Sequence, residues 1–179
     1  MTRGTVSVET EPVVAPADLR AAMRRFATGV TVVATDDGEA TYAAVVNSFT
    51  SVSLEPPLVL VCLKVGSRTC DAIRRRGAFS ICVLADDHRQ HSQRLAKSQP
   101  TVDDEAFTVV DGLPVIRDTL AGLLCEVESA QVKGDHVIVI GEVVRTHAAQ
   151  REPLLFYDGR YHVLTGQAEA DPAAVTDRK

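Results

Sequence analysis

The chain has 179 residues, 45% of them hydrophobic but only 4% aromatic, and its formal net charge is −5. That length suits one domain with a substantial core, and Val, Leu, Ala and Ile must fill it. The acidic balance argues against a nucleic-acid footprint, which needs clustered Lys and Arg, and no apolar run approaches the length of a membrane span.

Residues 1–15 are mostly polar, weakly acidic and interrupted by proline, and read as a disordered or docking arm. A domain over 16–165 follows, then a polar tail over 166–179. Leu19, Ala22, Met23 and Phe26 recur at i, i+3, i+4 and i+7, which predicts a helix that Gly29 ends. Gly29 to Thr35 reads as a strand, Asp36-Asp37-Gly38 as a turn, and Tyr42 to Val46 as the next strand. From Asn47 to Pro57 the chain gathers hydroxyls, one amide and a double proline. Neither proline can donate to a ladder, so this segment is expected to bend, exposing Ser and Thr hydroxyls and free N–H groups. Such a concave array suits a polar planar ring or a phosphate, although by composition alone a solvated loop is the commoner reading.

Leu58 to Lys64 reads as a strand, and Ser67 caps a helix that runs to Arg76, with Gly77 beyond it. The basic cluster Arg74-Arg75-Arg76 fits a solvated helix end better than a phosphate site. A strand over Phe79 to Leu84 and a polar helix from about Asp86 to Lys97 come next, then a loop over 98–105. Strands resume at Leu123 to Gln131 and His136 to Thr146. Asp158-Gly159, between Leu154-Leu155-Phe156-Tyr157 and Arg160-Tyr161-His162-Val163, is a hairpin signal, because both turn residues tolerate positive φ. Many antiparallel strands with few helices imply a closed or nearly closed barrel.

Cys62, Cys70, Cys82 and Cys125 form no C-x-x-C pair, so neither zinc nor a redox dithiol is indicated. Buried free thiols fit a reducing compartment, and the N-terminus lacks a basic start followed by an apolar core. A cytoplasmic location is expected. His88 and His91 share a helix face at i, i+3, but with no third ligand a solvated face is the reading, and no metal site is assigned. No Gly-x-Gly-x-x-Gly follows a predicted strand, which leaves a Rossmann nucleotide site unsupported.

Four segments in register resemble the flavin reductase-like family: Phe26 to Val33, Asn47 to Leu58, Gly134-Asp135-His136, and Pro153 to Tyr157. The likeness runs from about Leu19 to Leu164. It implies a mainly β fold, the FMN-binding split β-barrel (Greek-key) with a few flanking helices, and a homodimer. It also implies NAD(P)H:flavin oxidoreductase activity. FMN or FAD would be reduced by NADH or NADPH, and reduced flavin would pass by diffusion to a separate monooxygenase.

The resemblance carries over to particular positions. Asn47, Ser48, Thr50 and Ser51 stand where the family lines the flavin, while Leu63, Lys64, Ser67 and Thr69 stand where it faces the ribityl phosphate. Gly134, Asp135 and His136 match the motif that contacts the nicotinamide nucleotide, and Tyr161 is a weaker candidate for stacking there. Leu95 replaces a phenylalanine that helps to close the flavin pocket in the family, and Leu123 a position often aromatic. No side-chain nucleophile or base is required, because hydride transfer between the two rings is cofactor-borne. The rival reading is a split-barrel module, or a flavoprotein with tightly held flavin that reduces another acceptor.

Overall fold

A computed structural model describes residues 14–97 and 105–164; the N-terminal arm before residue 14, most of the 98–105 loop and the C-terminal tail lie outside them. The central element is an antiparallel seven-stranded sheet in the order β3-β2-β6-β9-β10-β5-β4. Its strands are β2 (Thr31–Asp36), β3 (Thr41–Val46), β4 (Thr50–Leu54), β5 (Pro57–Lys64), β6 (Ala78–Val83), β9 (Ala121–Lys133) and β10 (His136–Ala148). A three-stranded sheet joins β1 (Thr28–Gly29) to β11 (Leu155–Tyr157) and β12 (Arg160–His162), and β7 (Phe107–Val110) pairs with β8 (Leu113–Ile116).

The order of the large sheet dictates its shape. β3 and β4 are its two edges, yet only residues 47–49 separate them in the chain. Laid flat, seven strands would hold those edges about 29 Å apart, whereas four Cα steps from Val46 to Thr50 reach at most ~14 Å. The sheet must therefore curl until its edges nearly meet. No β3–β4 ladder forms among the described residues, so the barrel stays split at the Asn47–Phe49 link. Ser48 ties that link to β5, its Oγ donating to Cys62 O (3.1 Å) and accepting from Cys62 N–H (3.0 Å).

The expected bend before the double proline is replaced by an edge strand. β4 pairs with β5 through a two-residue turn, Glu55-Pro56, whose peptide bond is cis, and Leu54 lies opposite Pro57. Proline is tolerated there because it stands at a strand start beside the sheet edge. Of the hydroxyls that the sequence leaves open, Ser48 is committed to β5, and Thr50 donates only weakly to Ser51 O, at 3.4 Å.

Helix α2 (Arg68–Arg76) follows its sequence signals. Ser67 Oγ accepts from Cys70 N–H at 3.3 Å, and Gly77 closes the far end at φ 73°. Its basic end is solvated and paired, Arg75 with Asp37 at 3.9 Å and Arg76 with Asp36 at 3.4 Å. Helix α1 differs from expectation. It spans Pro16–Met23 and stops before Gly29, because Thr28 and Gly29 are drawn into a ladder with Phe156 and Leu155. Among the described residues its apolar face is left largely uncovered: no residue of α1 is buried, and Phe26 just beyond it is 64% exposed.

A short 3-10 turn (Asp86–His88) leads into α3 (Arg89–Lys97). Here His88 is not on a solvated face. It is buried, with Nδ1 accepting from Ala85 N–H (3.2 Å) and Nε2 3.1 Å from Arg117 O, while His91 accepts from Arg94 at 2.9 Å. Leu95, 7% exposed, packs in the core with Val30, Val32 and Leu84 rather than forming a lid. The core is Val-rich as expected, and Cys82 and Cys125 are buried in it. Burial pushes their thiols up to about 11 and about 12.

Candidate functional site

Register brings the two sequence-separated motifs together at one end of β5. In the β10–β5 ladder His136 lies directly opposite Lys64, so their side chains emerge on the same face. Gly134 and Asp135 form the turn that joins β9 to β10, with Gly134 at φ 62°, a conformation that disfavours any Cβ. Val65 N–H donates to Asp135 O at 3.0 Å, which fixes the hairpin tip against the loop after β5. His136 Nδ1 is 2.8 Å from Asp135 Oδ1. That hydrogen bond, then the charge of His136 and more weakly Lys64, hold the Asp135 carboxyl below the usual carboxylate range.

The Asn47–Ser51 segment approaches the same end. Ser48 is bonded to Cys62, two residues before Lys64, which sets Asn47 and Ser48 beside the terminus of β5. Thr50 and Ser51 run the other way, opposite Leu60 and Val59, so Thr50 stands about 13 Å along the strand from Lys64. Both are exposed on an edge strand, whose outward main-chain N–H and C=O groups are open to an outside partner.

The helix start beside Lys64 is less open than its sequence implies. Ser67 Oγ is occupied by the cap, and Thr69 is only 2% exposed. Cys70 N–H goes to Ser67 Oγ and Asp71 N–H to Ser67 O, leaving the Arg68 and Thr69 N–H groups for an external acceptor. Leu63 points into the core and offers only its main chain. Lys64 and Arg68 are the exposed cations here.

Asn47 also faces a second region that sequence reasoning missed. With Val30, Val45, Val46, Ala96, Phe156 and Tyr161 it lines a cavity of about 210 Å³. A neighbouring one of about 180 Å³ shares Asn47 and Phe156 and adds Arg20, Met23, Arg24, Phe26 and the β11–β12 turn. Asp158 N–H donates to Arg24 O at 3.1 Å, which holds the end of α1 to that turn. The signal was present: Leu155-Phe156-Tyr157 lies in a resembling segment, and Leu19, Ala22, Met23 and Phe26 mark one apolar helix face. Tyr161 belongs to this aromatic wall, in edge contact with Phe156 at 5.5 Å, while Gly134, Asp135 and His136 line neither cavity.

The donor set suits a flavin. It combines edge-strand N–H groups for a pyrimidine rim, an apolar aromatic slot for a ring, and Lys64 with helix N–H groups for a phosphate. A flavin and a dihydronicotinamide supply the hydride chemistry themselves. The chain has only to hold, orient and desolvate them.

A family described as flavin reductase like domain matches residues 23–165. The chain belongs to the flavin reductase-like family. An NADH-dependent flavin reductase of Rhodococcus sp is 36% identical over 159 residues, covering 87% of this chain and 90% of that protein. The reductase subunit HsaB of a flavin-dependent monooxygenase from Rhodococcus jostii (strain RHA1) is 35% identical, covering 82% of this chain and 76% of its own length. Among solved structures, the NADH:FAD oxidoreductase SgcE6 of Streptomyces globisporus, in complex with NAD and FAD fragments, superposes with a TM-score of 0.81 at 32% identity. That match covers 88% of this chain and 99% of that one. The curled, unclosed seven-stranded sheet is thus this family's split barrel.

Proposed function

We propose that this protein is an NADH-dependent flavin reductase that transfers hydride to FMN or FAD and releases the reduced flavin to a separate monooxygenase. The observation that carries the reading is the His136–Lys64 register pair. It brings Gly134-Asp135-His136, which resembles the family's nicotinamide motif, beside the loop after β5. Relatives named as NADH:FMN oxidoreductase and as reductase subunits of monooxygenases support the same activity and partner.

In this reading Asn47, Ser48, Thr50 and Ser51 hold the flavin ring, partly through main-chain groups. Lys64, with the main chain of Leu63 and the helix start at Ser67 and Thr69, meets the phosphate. Gly134 and Asp135 present His136 to the nicotinamide nucleotide, and Tyr161 bounds the ring slot. The protein acts as a cytoplasmic homodimer, in which the uncovered face of Leu19, Met23 and Phe26 supplies apolar surface for association.

Flavin is a diffusible substrate here. Micromolar binding corresponds to about −8.2 kcal/mol, and nanomolar binding would need about −12.3. Neutral hydrogen bonds of about 0.5–1.5 kcal/mol each fit the weaker case. Dialysed protein should be colourless, and NADH oxidation should return on adding FMN or FAD. A stoichiometric yellow flavin that survives dialysis, with turnover indifferent to added flavin, would sink this reading in favour of a fixed prosthetic group.

A further inference from the structure

Tyr161 separates two cavities. On one side is the slot of Asn47 and Phe156, and on the other a space of about 350 Å³ lined by Arg89, Leu154, Tyr161, His162 and Val163. The tyrosine is a fixed partition. Its hydroxyl lies 2.8 Å from the Oγ of fully buried Ser92, Phe156 packs edge-on against its ring, and the Arg89 guanidinium sits 5.9 Å from the ring centroid.

Among the described residues the Arg89 guanidinium makes that ring contact and no ion pair, whereas Arg75, Arg76, Arg145 and Arg151 each have an acidic partner. Among the described residues no acidic one lines its cavity either. An exposed guanidinium and an imidazole around one concavity, with no counter-charge, favour an anion, and the planar fork of arginine suits phosphate oxygens.

We infer that the cavity bounded by Arg89, Tyr161 and His162 is the subsite for the pyrophosphate of the nicotinamide dinucleotide. The inference rests on the reductase reading. There the flavin phosphate goes to the Lys64 end of β5, and the anion left without a partner is the pyrophosphate of the hydride donor. That donor's nicotinamide must enter the flavin slot, whose wall is Tyr161, so the subsite lies directly across that wall.

The test compares donors with and without phosphates. Arg89→Gln should raise the KM for NADH about tenfold, the lower end of what a charged hydrogen bond supplies at an exposed position. The KM for 1-benzyl-1,4-dihydronicotinamide, which carries no phosphate, should move far less, and Arg89→Lys should recover part of the loss. Independently of turnover, calorimetric titration with ADP-ribose should show binding to the unaltered protein and about tenfold weaker binding to Arg89→Gln. Equal changes for both donors, or ADP-ribose affinity indifferent to the substitution, overturn the inference. So does a rise in the KM for FAD with none for NADH, which would hand the cavity to the flavin's own pyrophosphate. Failure of the unaltered protein to oxidise either donor in the presence of flavin would remove the reductase reading instead, and the ADP-ribose titration would still decide the subsite.

Discussion

The two helices that flank the site make opposite use of similar lengths. Helix α2 is capped at both ends and buries Thr69, Cys70, Ala72 and Ile73 against the barrel. Helix α1 has no side-chain cap and buries nothing, although Leu19, Ala22 and Met23 fall on one face of it along the sequence. A helical period tells which face is apolar and leaves open what covers it. On the α2 flank the site is rigid and polar, beside Lys64 and His136. On the α1 flank it is uncovered and sets Phe26, Phe156 and Tyr157 among Arg20, Arg24 and Asp158.

The sharpest way to break this contrast is through stability. Ile73→Ala on α2 should cost about 2–5 kcal/mol in denaturant unfolding, since Ile73 is fully buried. Leu19→Ser with Phe26→Ser on the α1 side should change folding free energy by only about 0.5 kcal/mol per residue, yet weaken the proposed dimer in light scattering. Equal unfolding costs on the two flanks would erase the difference.

Next in size is the chemistry of the polar flank. His136→Ala should raise the KM for NADH about ten- to a hundredfold, from the loss of one hydrogen bond to a polar or charged group, with a smaller effect on flavin. If flavin affinity falls while the NADH constant holds, the hairpin serves the flavin and the proposed division of labour is wrong. Ser67→Ala should cost about 1 kcal/mol as a lost helix cap. Because that hydroxyl already accepts from Cys70 N–H, the measurement to watch is Tm rather than flavin KM.

The smallest effect concerns protons. The Asp135 carboxyl is depressed by His136, so whatever stability their contact provides is present above the ordinary carboxylate value of about 3.9. It is lost as pH falls through the lower folded value. In His136→Ala the Asp135 titration, followed by NMR, should move back up toward that ordinary value. An unmoved midpoint would show that another group holds the carboxyl down.

Most of the strands were legible because their signals are local. The Asp158-Gly159 turn sits at φ 49° and 77° as its dipeptide implies, and the Ser67 and Gly77 caps fall where expected. The β7–β8 hairpin was missed although Asp111-Gly112 carries the same signal, with φ 49° and 77°. Its flanking runs are only four residues long, and Pro114 lies within one of them. The Asn47–Leu58 segment was found for its polar composition but not for its conformation. Pairing with β5 along its length outweighed the discouragement of two prolines, which fall at the turn and the strand start.

By itself the sequence determined most of the elements, the valine-rich core and, by resemblance, the motifs of the site, because periodicity, caps and turn residues act over a few positions. Which motifs would meet, only the tertiary structure decided. Lys64 and His136 are 72 residues apart, and only the antiparallel register of β5 and β10 makes them neighbours. The aromatic slot likewise exists because a three-residue link forces the sheet to curl and β11 captures Thr28 and Gly29. Such contacts depend on how a whole sheet closes, and no window of a few residues carries that information.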